Sequence, residues 1–382
     1  MRIGVITFWE SDDNYGQTLQ CWALQRQLIK MGHEPFLIKY VPLPKTERIS
    51  IVKILWKLIR IYPVYQKLKR MQAAKRAKTF ILKNKQRDFD AFREKYIRTS
   101  SIMYNGLSDI QNNPPEADCY ICGSDQIWSR LLDNDENQAF YLNFGKKETR
   151  RIAYAASFGR DIYPTKLNAK LHDMLVKLDA VSVRERSGID ICAKVGVQAI
   201  DVLDPTLLLS LKEYSQIIER PSTDKKYFYT YSLNVTSEKE LCWSELLKYA
   251  DLHRLTSIST ASSGYLTGRE ICSNTRYVYA TIPQWLGLIL NAEFVATTSF
   301  HGVVFCLILH KNFIYFPLKG VHSRGNCRVV SLLASLNLQD KVYDSHKSVR
   351  QCVEYSINWK DIDERLGALS IKSKDFLETN LK

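Results

Sequence analysis

Apolar and polar positions along the chain fall into alternating blocks, and the blocks predict an α/β protein. Residues 2–8 read as a buried strand, followed by a polar loop over 10–16. Residues 17–31 carry Leu19, Trp22, Ala23, Leu28 and Ile29 at helical spacing and close near Gly32. Residues 34–40 repeat the strand pattern, which completes a β-loop-α-β unit and starts a parallel sheet. Further strands are predicted at 120–122, 152–155, 180–183 and 198–201, with helices at 89–96 and 167–178. Asp204-Pro205-Thr206 reads as a boundary, after which the alternation restarts. Strands follow at 226–231, 254–259, 294–297 and 312–316, with helices at 238–250, 283–291, 302–309 and 327–336. The pattern divides the chain into an α/β domain over 1–205, a second over 206–345 and a helical tail over 346–382. Two α/β domains facing across a cleft follow. Ligands of open α/β sheets sit beyond the carboxyl ends of the strands, so the loops after strands are where chemistry is expected.

Composition narrows the class. The chain has 382 residues, 45% of them apolar and 25% charged, which is a globular profile and excludes a disordered or collagen-like chain. No run approaches 18 apolar residues, and no signal peptide precedes the first strand, so a cytoplasmic protein is expected. The nine cysteines are irregularly spaced. The one CxxC, Cys119 and Cys122, lies in a predicted strand, where positions i and i+3 face opposite ways. Reduced, buried thiols are therefore expected, with no metal site.

The net charge of +14 is concentrated in one place. Residues 45–98 hold 17 Lys/Arg against 4 Asp/Glu, a surplus of 13. Within this basic insertion, Ile51, Ile54, Leu55, Leu58 and Tyr62 recur at helical spacing, with Lys53, Lys57 and Arg60 opposite them and Pro63 at the end. A second basic stretch over 66–85 also reads as helical. Three uses compete: packing on its own domain, docking on an anionic membrane surface, or binding nucleic acid. No nucleic-acid recognition motif accompanies the charge, so no nucleic-acid partner is expected.

Four polar loops follow strands. Asn14-Tyr15-Gly16-Gln17 enters a helix, where free N–H groups favour an anion; a plain helix entry is the alternative. Gly123-Ser124-Asp125-Gln126 follows a buried strand. Asp125 either accepts a proton or sugar hydroxyls, or it caps the next helix. In Ser182-Val183-Arg184-Glu185-Arg186 the arginines form either a structural ion-pair cluster or a bidentate anion clamp. Thr297-Thr298-Ser299-Phe300-His301-Gly302 sets a histidine at a helix N-terminus, with Arg324, Asn326 and Arg328 soon after.

Together these loops resemble the polysaccharide pyruvyl transferase family, in its bacterial subgroup with Gly-Ser-Asp-Gln-Ile-Trp. The matching stretches begin at Asn14, Gly123, Tyr154, Ser182, Asp204, Ser299 and Arg328, in the family's order, and cover about residues 1–345. The resemblance implies a fold like the two-domain GT-B glycosyltransferases. It also implies pyruvyl transfer from phosphoenolpyruvate onto a sugar as a cyclic ketal, with no cofactor and no metal. In characterised relatives, arginines and the histidine of an Arg-Leu-His motif hold the donor. His301 matches that histidine, Ser299 stands where the arginine would be, and Arg184 matches the other family arginine.

The chemistry needs counter-charges for a phosphate and a carboxylate, a general acid and a general base. The candidates are His301 as acid or phosphate contact, Asp125 as base, and Arg184, Ser299 and His301 at the donor. Arg324 or Arg328 replaces the absent arginine. Asn14, Tyr15, Gln17, Ser124, Asp125 and Asn326 are the candidates for the acceptor side. The acceptor is expected to be a surface glycan or its lipid-linked precursor. That gives residues 51–85 a use at the inner face of the plasma membrane. The alternatives are a GT-B glycosyltransferase using a nucleotide sugar, and a non-catalytic glycan-binding protein of the same fold.

Overall fold

The computed structural model describes residues 1–44, 83–260 and 270–382. The predicted amphipathic helix 51–62, and nearly all of the second basic stretch, lie outside the described residues.

Two sheets, each with every strand pair parallel, form the frame. The first has seven strands: β1 (Arg2–Ile6), β2 (Glu34–Val41), β3 (Thr99–Asn105), β4 (Cys119–Cys122), β5 (Arg150–Ala156), β6 (Ala180–Val183) and β7 (Ile200–Asp201). Their spatial order is β3-β2-β1-β4-β5-β6-β7. The second sheet has β8 (Tyr227–Tyr231), β9 (Thr256–Thr260), β10 (Arg276–Val278), β11 (Val295–Thr297) and β12 (Phe313–Tyr315). Its order is β10-β9-β8-β11-β12. Each order reverses once, between β1 and β4 and between β8 and β11. A parallel α/β sheet opens a crevice at such a switch point, because successive crossovers leave it toward opposite faces.

The α/β class read from the sequence holds, and most predicted elements stand within a few residues of their observed bounds. Three differ. β3 was not anticipated, because an edge strand buries only Ser100 and Tyr104 and shows no regular alternation. β10, three residues long, was also missed. The helix expected over 238–250 is broken: a 3-10 turn over Glu238–Leu241 ends at Cys242 with φ 47°, and the helix proper is Trp243–Leu252.

One apolar core runs through both sheets. It joins Val5 and Leu24 on the first to Tyr229 and Val303 on the second. Tyr15 stacks on Trp285 with ring centroids 4.9 Å apart, and its hydroxyl donates to Ala280 O at 2.7 Å. The last helix, Trp359–Asn380, returns to the first sheet, where Ser373 Oγ accepts from Leu203 N at 2.9 Å. Cys119 and Cys122 enter two different core clusters on opposite faces of β4, as the strand period requires. No described helix is long and apolar enough to cross a membrane.

Candidate active site

Four loops leave the strands that flank the two switch points, and all four meet. They contribute Thr7 to Ser11, Asp13 and Asn14 after β1, Asp125 and Gln126 after β4, Leu233 and Asn234 after β8, and Thr298–His301 after β11. With Arg328 these residues line a cleft whose cavity is about 320 Å³. The placement is set by the fold, since ligand crevices open at the carboxyl ends of strands on either side of a switch point.

Close packing shapes each loop. A Cβ on Gly123, whose φ is 118°, would lie 2.0 Å from Tyr154 O, so only glycine allows the chain to turn there. Asp125 follows with φ 71°, a conformation uncommon outside glycine and found at functional sites. Thr298 ties two loops together: its Oγ1 donates to Leu233 O at 2.9 Å and accepts from Leu233 N at 2.8 Å. Ser299 caps the helix Phe300–Ile308 by accepting from Gly302 N. His301 lies in that helix's first turn, against Gly16 in the first turn of Tyr15–Lys30. A Cβ on Gly16 would sit 1.9 Å from His301 Nδ1, so the two helix starts approach through a glycine.

The centre of the charge network is Asp204, fully buried just after β7. Its Oδ1 accepts from Thr206 N and Thr206 Oγ1 at 3.1 and 2.7 Å. Its Oδ2 lies 2.9 Å from Ser124 Oγ and accepts from Arg184 Nη1 at 2.7 Å. His301 Nε2 reaches Oδ2 from the loop after β11 at 3.6 Å, an ion-pair distance beyond hydrogen-bond length. Burial by itself would raise the Asp204 pKa; His301, Arg184 and Thr206 outweigh it and hold the carboxyl well below its usual range.

Two guanidinium groups flank the Phe300 ring. Arg184 Cζ is 4.5 Å from its centroid and Arg328 Cζ is 5.6 Å away. Gln126 Oε1 accepts from both Nη atoms of Arg328 at 2.8 Å in the amide orientation that satisfies both groups. Burial and then the neighbouring Arg184 lower the Arg328 pKa, whereas for Arg184 the carboxylates of Asp204, Asp125 and Glu185 overcome burial and raise it. Five atoms around this centre are buried with no hydrogen-bond partner: Asp125 Oδ2, Glu185 Oε2, His301 Nε2, and Arg184 Nε and Nη2.

The sequence matches the description "Polysaccharide pyruvyl transferase" over residues 14–319, which takes in the cleft loops after β4, β8 and β11 and leaves residues 7–13 outside. The chain belongs to the polysaccharide pyruvyl transferase family. It is therefore a transferase of polysaccharide biosynthesis. It matches no curated protein. Among solved structures it is similar to a Listeria monocytogenes protein assigned as a UDP-N-acetylglucosamine 2-epimerase. That match has 7% identity and a TM-score of 0.50, covering 97% of this chain and 90% of the other. It is also similar to the UDP-GlcNAc 2-epimerase of Neisseria meningitidis (9% identity, TM-score 0.46, covering 100% and 99%). A third is the glycosyltransferase SnogD from Streptomyces nogalater (13%, TM-score 0.39, covering 100% and 98%). At 7% identity the Listeria match speaks to the fold alone, two parallel α/β sheets.

Within this pyruvyl transferase the candidate residues separate into three groups. Asn14, Gln17, Asp125, Ser299, His301 and Arg328 all line the cleft. Arg184 and Ser124 lie behind its wall, both turned to Asp204. Tyr15, Arg324 and Asn326 are elsewhere. Tyr15 is fully buried in the core between the sheets, and its hydroxyl also accepts from Arg87 Nη1. Arg324 is exposed on the 3-10 turn Gly320–Gly325, away from the cleft. The Asn326 amide is occupied with the backbone of Leu318 and the hydroxyl of Tyr315.

Sequence reasoning missed Asp204, Gln126 and Phe300. Asp204-Pro205-Thr206 reads as a boundary because an Asp-Pro pair punctuates chains. The signal that it was more was its position directly after a strand, where the other site loops also begin.

Proposed function

We propose that the cleft transfers the pyruvyl group of phosphoenolpyruvate onto two hydroxyls of one sugar, closing a cyclic ketal. The acceptor in this reading is a surface glycan or its lipid-linked precursor. The observation that carries the reading is the inner cleft itself, where Arg328 stands with two unpartnered buried atoms, His301 Nε2 and Asp125 Oδ2. Unpartnered buried polar groups are costly, and a ligand that meets them offsets that cost.

Phosphoenolpyruvate offers a phosphate and a carboxylate, the two anions that a planar guanidinium holds best. Arg328, in the cleft wall, takes the place of the arginine missing before His301; Arg324, on its exposed turn, does not. His301 delivers a proton to the methylene carbon, which becomes a methyl group. Asp125 takes the proton of the first attacking hydroxyl. The phosphate departs as the second hydroxyl closes the ring. Two hydroxyl protons leave the acceptor; one ends on the methyl group and one on the phosphate. Acid and base each contribute about 10²–10⁴-fold to such a step.

The outer half of the cleft suits the acceptor. Trp9 presents an indole whose Nε1 is already held by Tyr40 O at 3.0 Å, and Asn14 and Gln17 lie beside it. An aromatic face with amides at its edge fits a sugar ring. Placing this chemistry at the cytoplasmic face of the membrane gives the basic segment 51–85 anionic lipid as its partner.

The test is calorimetric titration of the whole chain with phosphoenolpyruvate, with UDP-glucose as control. Saturable phosphoenolpyruvate binding is expected, lost in Arg328→Gln and weakened in His301→Ala. Binding of UDP-glucose alone would move the chain to nucleotide-sugar chemistry.

A further inference from the structure

A second, smaller cavity lies behind the wall of the cleft. Its volume is about 70 Å³, ample for a four-oxygen anion and small for a sugar ring. Arg184, Arg186, Asp204, Phe300, Ser331 and Lys372 contribute to its lining. Phe300 lines both spaces, so its ring is the partition between them.

The back cavity has the chemistry of an anion site. The Arg184 side chain is 1% exposed, and its Nε and Nη2 have no hydrogen-bond partner. Arg184 contributes to the lining of the back cavity, while its Nη2 lies 3.6 Å from Asp125 Oδ1 of the front cleft. Arg186 is exposed at the rim and pairs with no carboxylate among the described residues. Lys372 pairs with Asp201 at the solvent end. Three cations therefore face two carboxylates, Asp201 and Asp204, and Asp204 is already saturated by neutral donors and Arg184. Arg184 also faces Asp125 and Glu185, so what the cavity offers an anion is the unpaired Arg186 at the rim and the two Arg184 donors without hydrogen-bond partners.

We infer that this cavity binds inorganic phosphate, the anion that the proposed reaction releases. The inference rests on that reading for the source of the phosphate. With the new ketal filling the outer cleft, phosphate set free at Arg328 is enclosed on that side. Arg184 offers it a second face behind Phe300, and the rim at Arg186 and Lys372 leads to solvent.

The experiment is calorimetric titration of the full chain with inorganic phosphate, alone and with saturating phosphoenolpyruvate. A phosphate event that survives saturation is expected. Arg186→Gln should weaken that event about tenfold, the effect of losing one charged hydrogen bond. Ser331→Phe should fill the cavity and abolish it, while phosphoenolpyruvate affinity stays within about twofold. If Ser331→Phe does not fold, Arg186→Gln at the exposed rim decides the matter. The proposal is overturned if phosphoenolpyruvate displaces all bound phosphate, or if the surviving event ignores both substitutions. Failure of phosphoenolpyruvate to bind would sink the donor assignment instead; a phosphate event sensitive to Arg186→Gln would still support the back site.

Discussion

Two of the buried cations among the described residues are treated in opposite ways. Lys341, in the second domain, is fully buried, and its amine donates to Asn312 Oδ1, Cys352 O and Tyr355 O at 2.6, 2.8 and 2.7 Å. Every acceptor is neutral, and three come from the end of the helix Val349–Glu354 and the residue after it. Arg184, in the first domain, faces three carboxylates and still leaves two donor atoms unused. Lys341 completes a piece of architecture, and nothing remains for a ligand to do there. Arg184 is overdetermined in charge and incomplete in hydrogen bonds, which is the condition of a site that waits for an anion. Burial of charge alone therefore does not mark function; the leftover donors do.

The comparison can be broken most sharply at Asp204. Asp204→Ala strands Arg184 in the interior, and removing one partner of a buried pair costs about 3–5 kcal/mol. A urea melt should show that loss together with loss of phosphoenolpyruvate binding. Lys341→Met should cost less, about 1–3 kcal/mol, because it leaves unsatisfied carbonyls but no unpaired charge. It should leave phosphoenolpyruvate affinity unchanged by calorimetry; a loss of affinity would erase the distinction drawn here.

The pH dependence of stability sharpens the same contrast. Burial pushes the Lys341 pKa down to about 8, from 10.5 when exposed. Between those values the unfolded chain binds the proton and the folded chain does not, so stability rises with pH across this window. The rise should appear as the difference between wild type and Lys341→Met in denaturation measured from pH 8 to pH 10.5. At the site, Gly16→Ala tests the close approach of the two helix starts. Its Cβ would displace the His301 ring. We expect weaker phosphoenolpyruvate binding, by about tenfold, with a smaller loss of stability than in Asp204→Ala.

Much of the fold is legible along the chain because strand and helix periods are local. Residues 2–8 and 17–31 announce a β-loop-α unit whatever surrounds them. Three of the cleft's loops, after β1, β4 and β11, could be found the same way, as polar runs directly after apolar strands; the loop after β8 was not, and the loop Ser182–Arg186 stands behind the cleft wall. What each loop residue does was less legible. Asn14 and Tyr15 are neighbours in one motif, yet one lines the cleft and the other stacks on Trp285 in the core. A helix start sends consecutive side chains in different directions, and only the packing partner decides which of them meets solvent. Arg324 and Arg328 were equivalent candidates for the same reason. One turn of helix separates the exposed rim from the cleft wall.

By itself the sequence determined the α/β class, three of the cleft's four loops and membership of the pyruvyl transferase family, since each depends on residues close together in the chain. The tertiary structure decided that β1/β4 and β8/β11 are the switch points and that their loops converge. It also decided that Asp204, after β7 of the first sheet, meets His301, after β11 of the second, and that Phe300 lines two cavities. These are contacts between residues about a hundred positions apart. They arise from sheet order and domain packing, and no local pattern encodes them.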